Sequence, residues 1–136
     1  MKNLQINHKF ACDRFSENDK LFSNIFALTE NSMQAIILDT ETHTLNGLPI
    51  EIAYAPIEIE AGKLSLDRSK MFDQLYSIGD EKISFAAMAV HHILEADIVD
   101  QPNFGTFTLP TETVYIIGHN IDYDIRAIQT CGVDTQ

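Results

Sequence analysis

Two carboxylates stand at the end of a short apolar run in the 136-residue chain. Residues 35–38 read Ala-Ile-Ile-Leu, and Asp39 and Glu41 follow. Such a run is typical of a buried central strand, and ligands of α/β sheets usually bind beyond the carboxyl ends of strands. Residues two apart in extended chain point to the same side, so both carboxylates face one way. Like charges side by side require protons or cations, and Mg²⁺ prefers oxygen ligands of this kind.

A second segment supplies a third carboxylate. Residues 118–124 read Gly-His-Asn-Ile-Asp-Tyr-Asp, follow another apolar run and open a predicted helix. Asp124 falls in the first turn, where the helix dipole favours a carboxylate. If the two strands are neighbours, Asp124 faces Asp39 and Glu41, and three converging carboxylates could hold two metal ions ~4 Å apart for phosphoryl transfer. Asp122 is the other candidate, which we interpret as an exposed residue at the helix start.

The overall composition limits the class of protein. A chain of 136 residues, 45% apolar and 21% charged, is long enough for one ordinary domain with its own core. Its net charge of −11 is the opposite of what a protein needs to wrap duplex nucleic acid through its phosphates. The acidic residues either form a solvated surface or hold divalent cations that reverse the local charge. Composition leaves both interpretations open.

The sequence also predicts a cytoplasmic protein without a membrane partner. The longest apolar runs, such as residues 86–90, are far shorter than the ~20 residues of a membrane span. Residues 1–8 contain no apolar signal region. Cys12 and Cys131 lie far apart, without a Cys-x-x-Cys spacing, which fits a reducing compartment and excludes a zinc site built on cysteine.

The strand patterns predict an antiparallel meander after the first apolar run. Apolar and polar residues alternate within residues 50–60 on either side of Pro56, and a proline inside a strand implies an edge position or a bulge. A hairpin turn at 61–62 leads into extended chain over 63–66, and residues 71–78 are again extended.

Strand–helix units follow the meander. Ser84 is the predicted N-cap of a helix over residues 85–91. Asn120 follows the second apolar run and is the predicted cap of a helix of about ten residues that Gly132 closes. Strands followed by strand–helix units predict an α/β fold with a mixed sheet.

The first 32 residues differ from the rest in composition. They are polar and mixed, but apolar side chains between Leu21 and Leu28 are spaced for one helix face, and Asp19 is a candidate cap. We interpret residues 1–32 as a partly helical N-terminal arm and residues 33–136 as the domain.

Three segments together resemble the DEDD (DnaQ-like) 3′→5′ exonucleases. Asp39-Thr40-Glu41-Thr42 resembles the first motif of this family, and Gly118-His119-Asn120-x-x-Tyr123-Asp124 resembles the second. Between them, residues 83–96 look like the helix region of the exodeoxyribonuclease X branch of the family. The resemblance covers residues 35 to 130. Each motif alone is a weak signal, whereas three in order at compatible spacing are a strong one.

The resemblance implies an RNase H-like fold that binds two Mg²⁺ ions, with Mn²⁺ as the alternative metal, and removes nucleotides from a DNA 3′ end. It implies Asp39 and Asp124 as metal ligands, and Glu41 as a ligand that also meets the hydroxyl of the terminal nucleotide. Thr42 and His91 are implied as substrate-side residues, although a histidine satisfied at a helix end would also explain His91.

Two further positions follow from the resemblance. Asn120 is a substrate-side candidate that is better explained as a helix cap, and Tyr123 occupies the Phe/Tyr position that packs beneath the site. The expected partners are single-stranded DNA or DNA 3′ ends.

The sequence also departs from the family pattern. The third motif of the family supplies a general-base histidine and a fourth aspartate, but residues 125–136 contain no histidine and Asp134 lies too close to Asp124. Phe85 and Leu94 replace the usual proline and threonine. We therefore expect an exonuclease domain truncated at its C-terminus. Without a general base, worth about 10²–10⁴-fold in rate, it would be nearly inactive, and its uncovered apolar surface would make it dimerise.

Other functions stay open beside this one. A non-catalytic nucleic-acid-binding or interaction module derived from an exonuclease would bind Mg²⁺ without hydrolysis. A haloacid-dehalogenase-type phosphatase also ends an apolar strand in paired carboxylates, but it requires Asp-x-Asp, and here Glu41 holds the second position. RNA is an alternative substrate, because contacts to a frayed 3′ end through stacking and hydroxyls leave no mark in this sequence.

Overall fold

The strand that carries Asp39 and Glu41 lies inside the sheet. In the computed structural model, which describes residues 34–60, 63–66 and 68–135, this strand is β1 (Gln34–Thr42). It pairs antiparallel with β2 (Pro49–Glu60) and parallel with β5 (Thr113–Ile117). The sheet is therefore mixed and the fold is α/β, as the sequence predicts.

Two short strands share the outer edge of β2. The strand β3 (Lys63–Leu66) pairs with the last residues of β2, and β4 (Phe72–Leu75) pairs with an earlier stretch. The predicted meander is confirmed for β1, β2 and β3, but it is wrong for β4, which pairs with β2 instead of β3. With 12 residues, β2 is long enough to accept two four-residue partners one after the other.

Pro56 lies where these two partners of β2 leave a gap. On one side it is opposite Ile36 of β1. On the other side, pairing with β4 stops at Tyr54 and pairing with β3 starts at Ile57. Because proline has no N–H to donate, the gap leaves no N–H of Pro56 unpaired. At Pro56, the outer side of β2 is therefore unpaired, as the predicted edge position requires. Elsewhere β2 is an internal strand.

Three helices complete the described part of the chain. They are α1 (Phe85–His91), α2 (Glu95–Ile98) and α3 (Asp122–Gln129), and short 3-10 turns lie at Arg68–Lys70 and Phe104–Thr106. The predicted cap of α1 is confirmed, since the Ser84 side chain accepts the Ala87 N–H at 3.2 Å.

The start of α3 differs from the prediction. Asn120 has a left-handed backbone with φ of 51°, and its carbonyl accepts the Tyr123 N–H at 2.9 Å. The residue in the N-cap position is Ile121, without a side-chain cap, so the prediction of Asn120 as N-cap is wrong by one residue. Gly132 closes the helix as predicted, with φ of 84° and its N–H on the Gln129 carbonyl.

Two apolar clusters hold the helices in place. The first joins the inner face of the sheet to α3, and its buried members are Ile36, Leu38, Ile52, Tyr76, Phe107, Ile116, Ile121, Ile125 and Ile128. The second lies under α1 and α2 and consists of Ile50, Ile78, Ile83, Ile93 and Ile98. The first cluster fixes α3 against β1 and β5, and the second fixes α1 beside the start of β2.

The predicted arm over residues 1–32 and the predicted turn at 61–62 lie outside the described residues. The described residues on either side of 61–62, Glu60 and Lys63, pair with each other. Within the described residues, no helix is long and apolar enough to cross a membrane.

Shortening Ile128 tests the first cluster. Ile128 is fully buried, so Ile128→Ala leaves a cavity and is expected to lower the free energy of unfolding by about 2–5 kcal/mol. Val90→Ala is the matched control, because Val90 is 74% exposed on α1. Urea denaturation followed by circular dichroism measures both variants, and an equal loss in the two would contradict this packing.

Candidate active site

The ends of β1 and β5 create the edge at which the acidic residues meet. The two strands are parallel neighbours, and their pairing stops at Ile37 and Ile117. The strand β1 continues for five residues to Thr42, while the chain turns from β5 into α3. This satisfies the condition under which the sequence places Asp124 near Asp39 and Glu41.

Asp124 takes the place of a strand partner along this free edge. Its carboxylate is 3% exposed, and Oδ1 accepts the Thr40 backbone N–H at 2.9 Å and the Thr40 hydroxyl at 2.8 Å. Burial raises the pKa of Asp124, the Thr40 hydroxyl bond opposes this shift, and the charge of Asp39 adds to it. One oxygen of the carboxylate thus accepts two hydrogen bonds that hold the fold, and Thr40 leaves the other oxygen unused.

Asp39 and Glu41 lie on the face of the sheet opposite the core. Asp39 is exposed and Glu41 is half-buried. The pKa of Glu41 is raised by burial first, and then by the charges of Asp39, Glu51 and Asp124. The three predicted carboxylates therefore lie within electrostatic reach of one another. Even so, the described residues contain no group of three or more His, Cys, Asp or Glu side chains arranged to hold a metal ion.

Two further carboxylates extend this acidic face, and sequence reasoning missed both. Glu51 lies directly opposite Glu41, and Asp73 lies opposite Ala53, the residue paired with Asp39. The pKa of Glu51 is raised by burial, then by Asp73 and Asp39. The alternation of residues 50–54 indicates that Glu51 points away from the core, but only the register of β2 on β1 shows what it faces.

The end of β1 is irregular beside Glu41. The register with β2 shifts between Glu41 and Thr42, as in bulges that re-aim a side chain. The Thr42 hydroxyl is buried and donates to the Thr44 carbonyl at 2.8 Å. Its only proton is used there, so the Tyr123 hydroxyl must donate to Thr42 Oγ1 in their short contact. Thr42 is a predicted substrate-side residue, and its hydroxyl is thus already engaged by other groups of the protein.

His91 and Asn120 occupy different surroundings. His91 lies at the end of α1, where Nδ1 accepts the Ile93 N–H at 3.0 Å. Burial is the main cause that lowers the pKa of His91, and the Thr42 backbone opposes this shift. The imidazole therefore lies close to the end of β1. Asn120 is exposed in the turn before α3. The structure describes these surroundings, and the substrate-side roles of both residues stay predictions.

A mixed α/β fold with carboxylates where the parallel strands β1 and β5 end is consistent with the fold of the RNase H-like exonucleases. Among solved structures, the chain is similar to "Exonuclease X in complex with 5′ overhanging duplex DNA", with a TM-score of 0.54 and 31% sequence identity. The match covers 69% of this chain and 53% of that one, so the present chain spans about half of the length of its structural relative. No protein-family model matches the sequence, and no curated protein matches it.

Substituting Asp124 separates its structural role from its charge. Asp124→Ala leaves the Thr40 N–H and hydroxyl without their acceptor and is expected to lower the free energy of unfolding by about 2–4 kcal/mol, since each unsatisfied buried group costs ~1–3 kcal/mol. Asp124→Asn keeps an acceptor oxygen and is expected to cost less than half as much. Urea denaturation measures both, and equal losses would show that the two hydrogen bonds contribute nothing.

The acidic face predicts a stability that falls as the pH rises. The pKa values of Glu41, Glu51 and Asp124 are all raised, so the folded state retains protons that the unfolded chain has lost. The stabilisation is complete below the usual carboxyl pKa of about 4 and disappears as the pH passes the raised values.

Glu51→Gln tests this dependence without touching a predicted metal ligand. The free energy of unfolding of the variant minus that of the parent chain is expected to be larger at pH 8 than at pH 5. Urea denaturation in the presence of a chelator measures this difference. Glu81→Gln, at an exposed position, is the matched control. The same difference in both variants would exclude the acidic face as its source.

Proposed function

We propose that this chain carries the catalytic centre of a metal-dependent 3′→5′ exodeoxyribonuclease. The observation that carries the proposal is the parallel pairing of β1 and β5, which brings Asp39, Glu41 and Asp124 within electrostatic reach of one another. The similarity to a solved exonuclease over 69% of the chain supports it.

The donor set fits Mg²⁺ or Mn²⁺. The ligands would be Asp39, Glu41 and the oxygen of Asp124 that Thr40 leaves unused, all hard anionic oxygens. The charge of Asp39 contributes to the raised pKa values of Glu41 and Asp124, and a cation between the three carboxylates would relieve this repulsion. A bound metal pair would activate water and stabilise the attacking and leaving oxygens of the phosphodiester.

The protein's own contribution is to position these ligands. The Thr40 N–H and hydroxyl orient Asp124, and the irregular end of β1 sets the direction of Glu41. Hydrogen-bonded supporting residues of this kind typically account for 10- to 100-fold in metal affinity or activity. We propose the same supporting role for Thr42, through its backbone, because its hydroxyl is already engaged.

The proposed substrate is single-stranded DNA or a DNA 3′ end. The similar structure holds a 5′ overhanging duplex, in which one 3′ end is recessed. With a net charge of −11, the present chain would bind phosphate through metal ions and a few local contacts, among which we place the exposed Asn120. A cytoplasmic location and a homodimer belong to the same proposal.

Hydrolysis of an oligonucleotide labelled at its 5′ end tests the reaction. Because residues 125–136 contain no histidine that could act as general base, we expect only a slow ladder of products shortened from the 3′ end in Mg²⁺ or Mn²⁺, and no ladder with a chelator. Asp39→Asn removes a proposed ligand and should lower the rate about 100-fold or more, beyond the loss typical of a supporting residue. Asp100→Asn, at an exposed position beyond α2, should leave the rate unchanged. Products that do not depend on Asp39 would contradict the proposal.

A second candidate is a non-catalytic module that retains the metal-binding edge. It is favoured by the acidic surface of the chain, whose net charge is −11. Calorimetry distinguishes the two functions. Metal binding that is lost in Asp39→Asn, without any hydrolysis by the parent chain, would identify the non-catalytic module.

A further inference from the structure

A buried N–H group faces the irregular end of β1. Nε2 of His91 is inaccessible to solvent and has no hydrogen-bond partner within the described part of the chain. An unsatisfied buried group of this kind is rare in folded proteins and calls for an explanation. Since it lies at the end of α1, next to the strand that carries Asp39 and Glu41, a role in the candidate active site is the explanation to test.

The tautomer of this imidazole is fixed by its other nitrogen. Nδ1 accepts the backbone N–H of Ile93 at 3.0 Å, so it carries no proton. In the neutral ring the proton must then be on Nε2, which acts as a donor. The burial that lowers the pKa of His91 favours this neutral form.

The backbone of Thr42 is the acceptor available to this donor. It is the backbone group that raises the pKa of His91, and the carbonyl is the part of a backbone that accepts. A second contact keeps α1 against the same segment, because the Ser84 N–H donates to the His43 carbonyl at 2.8 Å. The two ends of α1 therefore face consecutive residues at the end of β1.

The segment that they face follows Glu41 directly in the chain. The register of β1 on β2 shifts between Glu41 and Thr42, so regular strand pairing no longer fixes the backbone there. The Tyr123 hydroxyl holds the side chain of Thr42, and the Ser84 N–H holds the next carbonyl. The Thr42 carbonyl lies between these two fixed points along the chain.

We propose that His91 is a positioning residue, whose Nε2–H binds the Thr42 carbonyl when the acidic edge takes up a divalent cation and thereby fixes the direction of Glu41. This inference rests on the proposed function, because it assumes that Asp39, Glu41 and Asp124 hold the cation. It assigns His91 to the support of a ligand and not to contact with the substrate.

Two substitutions separate the two nitrogens of His91. In His91→Gln the side-chain amide nitrogen reaches about as far as Nε2, so the donor toward Thr42 is kept. In His91→Asn the amide oxygen takes the place of Nδ1, so the acceptor for the Ile93 N–H is kept and the donor is lost. His92→Asn is the matched control, because His92 is the exposed neighbour.

The measurement is the affinity of the full chain for Mn²⁺ by calorimetry, with circular dichroism and urea denaturation to show that each variant is folded. We expect His91→Asn to weaken Mn²⁺ binding about 10- to 100-fold, the range for a residue that supports a ligand. His91→Gln and His92→Asn should bind within about threefold of the parent chain. The histidine ¹⁵N spectrum should show the Nε2–H tautomer, with slower exchange of that proton after Mg²⁺ is added.

The outcomes distinguish this inference from the function on which it rests. Weaker binding in His91→Gln than in His91→Asn would assign His91 to the Ile93 N–H alone and overturn the proposal. Unchanged binding in both variants, or an equal loss in both, would also overturn it. In each of these cases, parent binding that is abolished in Asp39→Asn would leave the metal site standing. A parent chain that binds no Mn²⁺ would reject the site and the positioning role together.

Discussion

The hydrogen bonds between Asp124 and Thr40 are the contact on which the candidate site depends. They replace the strand pairing that β1 loses where β5 ends, and so they hold together a parallel strand pair and the helix that follows it. The Asp124 side chain thus holds the fold together and is also a proposed metal ligand, so a substitution there affects both roles.

The acidic face carries a cost that the rest of the domain must offset. Asp39, Glu41, Glu51 and Asp73 lie on one side of the sheet, where burial and the neighbouring charges oppose the charged forms of Glu41 and Glu51. The opposite side carries the apolar cluster around Ile128. A sheet with one apolar face and one face of like charges is stable only because these two faces are separated by the alternation of the strand.

Much of this arrangement follows from local patterns in the sequence. The apolar run before Asp39 predicts a central strand, and Ser84 predicts the start of α1, because both depend on neighbouring residues. The pairing of β4 with β2 and the placement of Glu51 opposite Glu41 depend on register between distant segments, which a single sequence does not encode locally. The error at Asn120 has a different origin, since a left-handed residue and an N-cap share the same residue preferences.

Pro56 has a consequence for the behaviour of the protein in concentrated solution. Neither β3 nor β4 pairs with the outer edge of β2 at Pro56, and an unpaired edge can recruit a strand from another molecule. At Pro56 the edge has no N–H, so an incoming strand would find no donor there. The gap between β3 and β4 is thus protected against the intermolecular sheet growth that leads to fibrils, by the same residue that makes the gap tolerable within the fold.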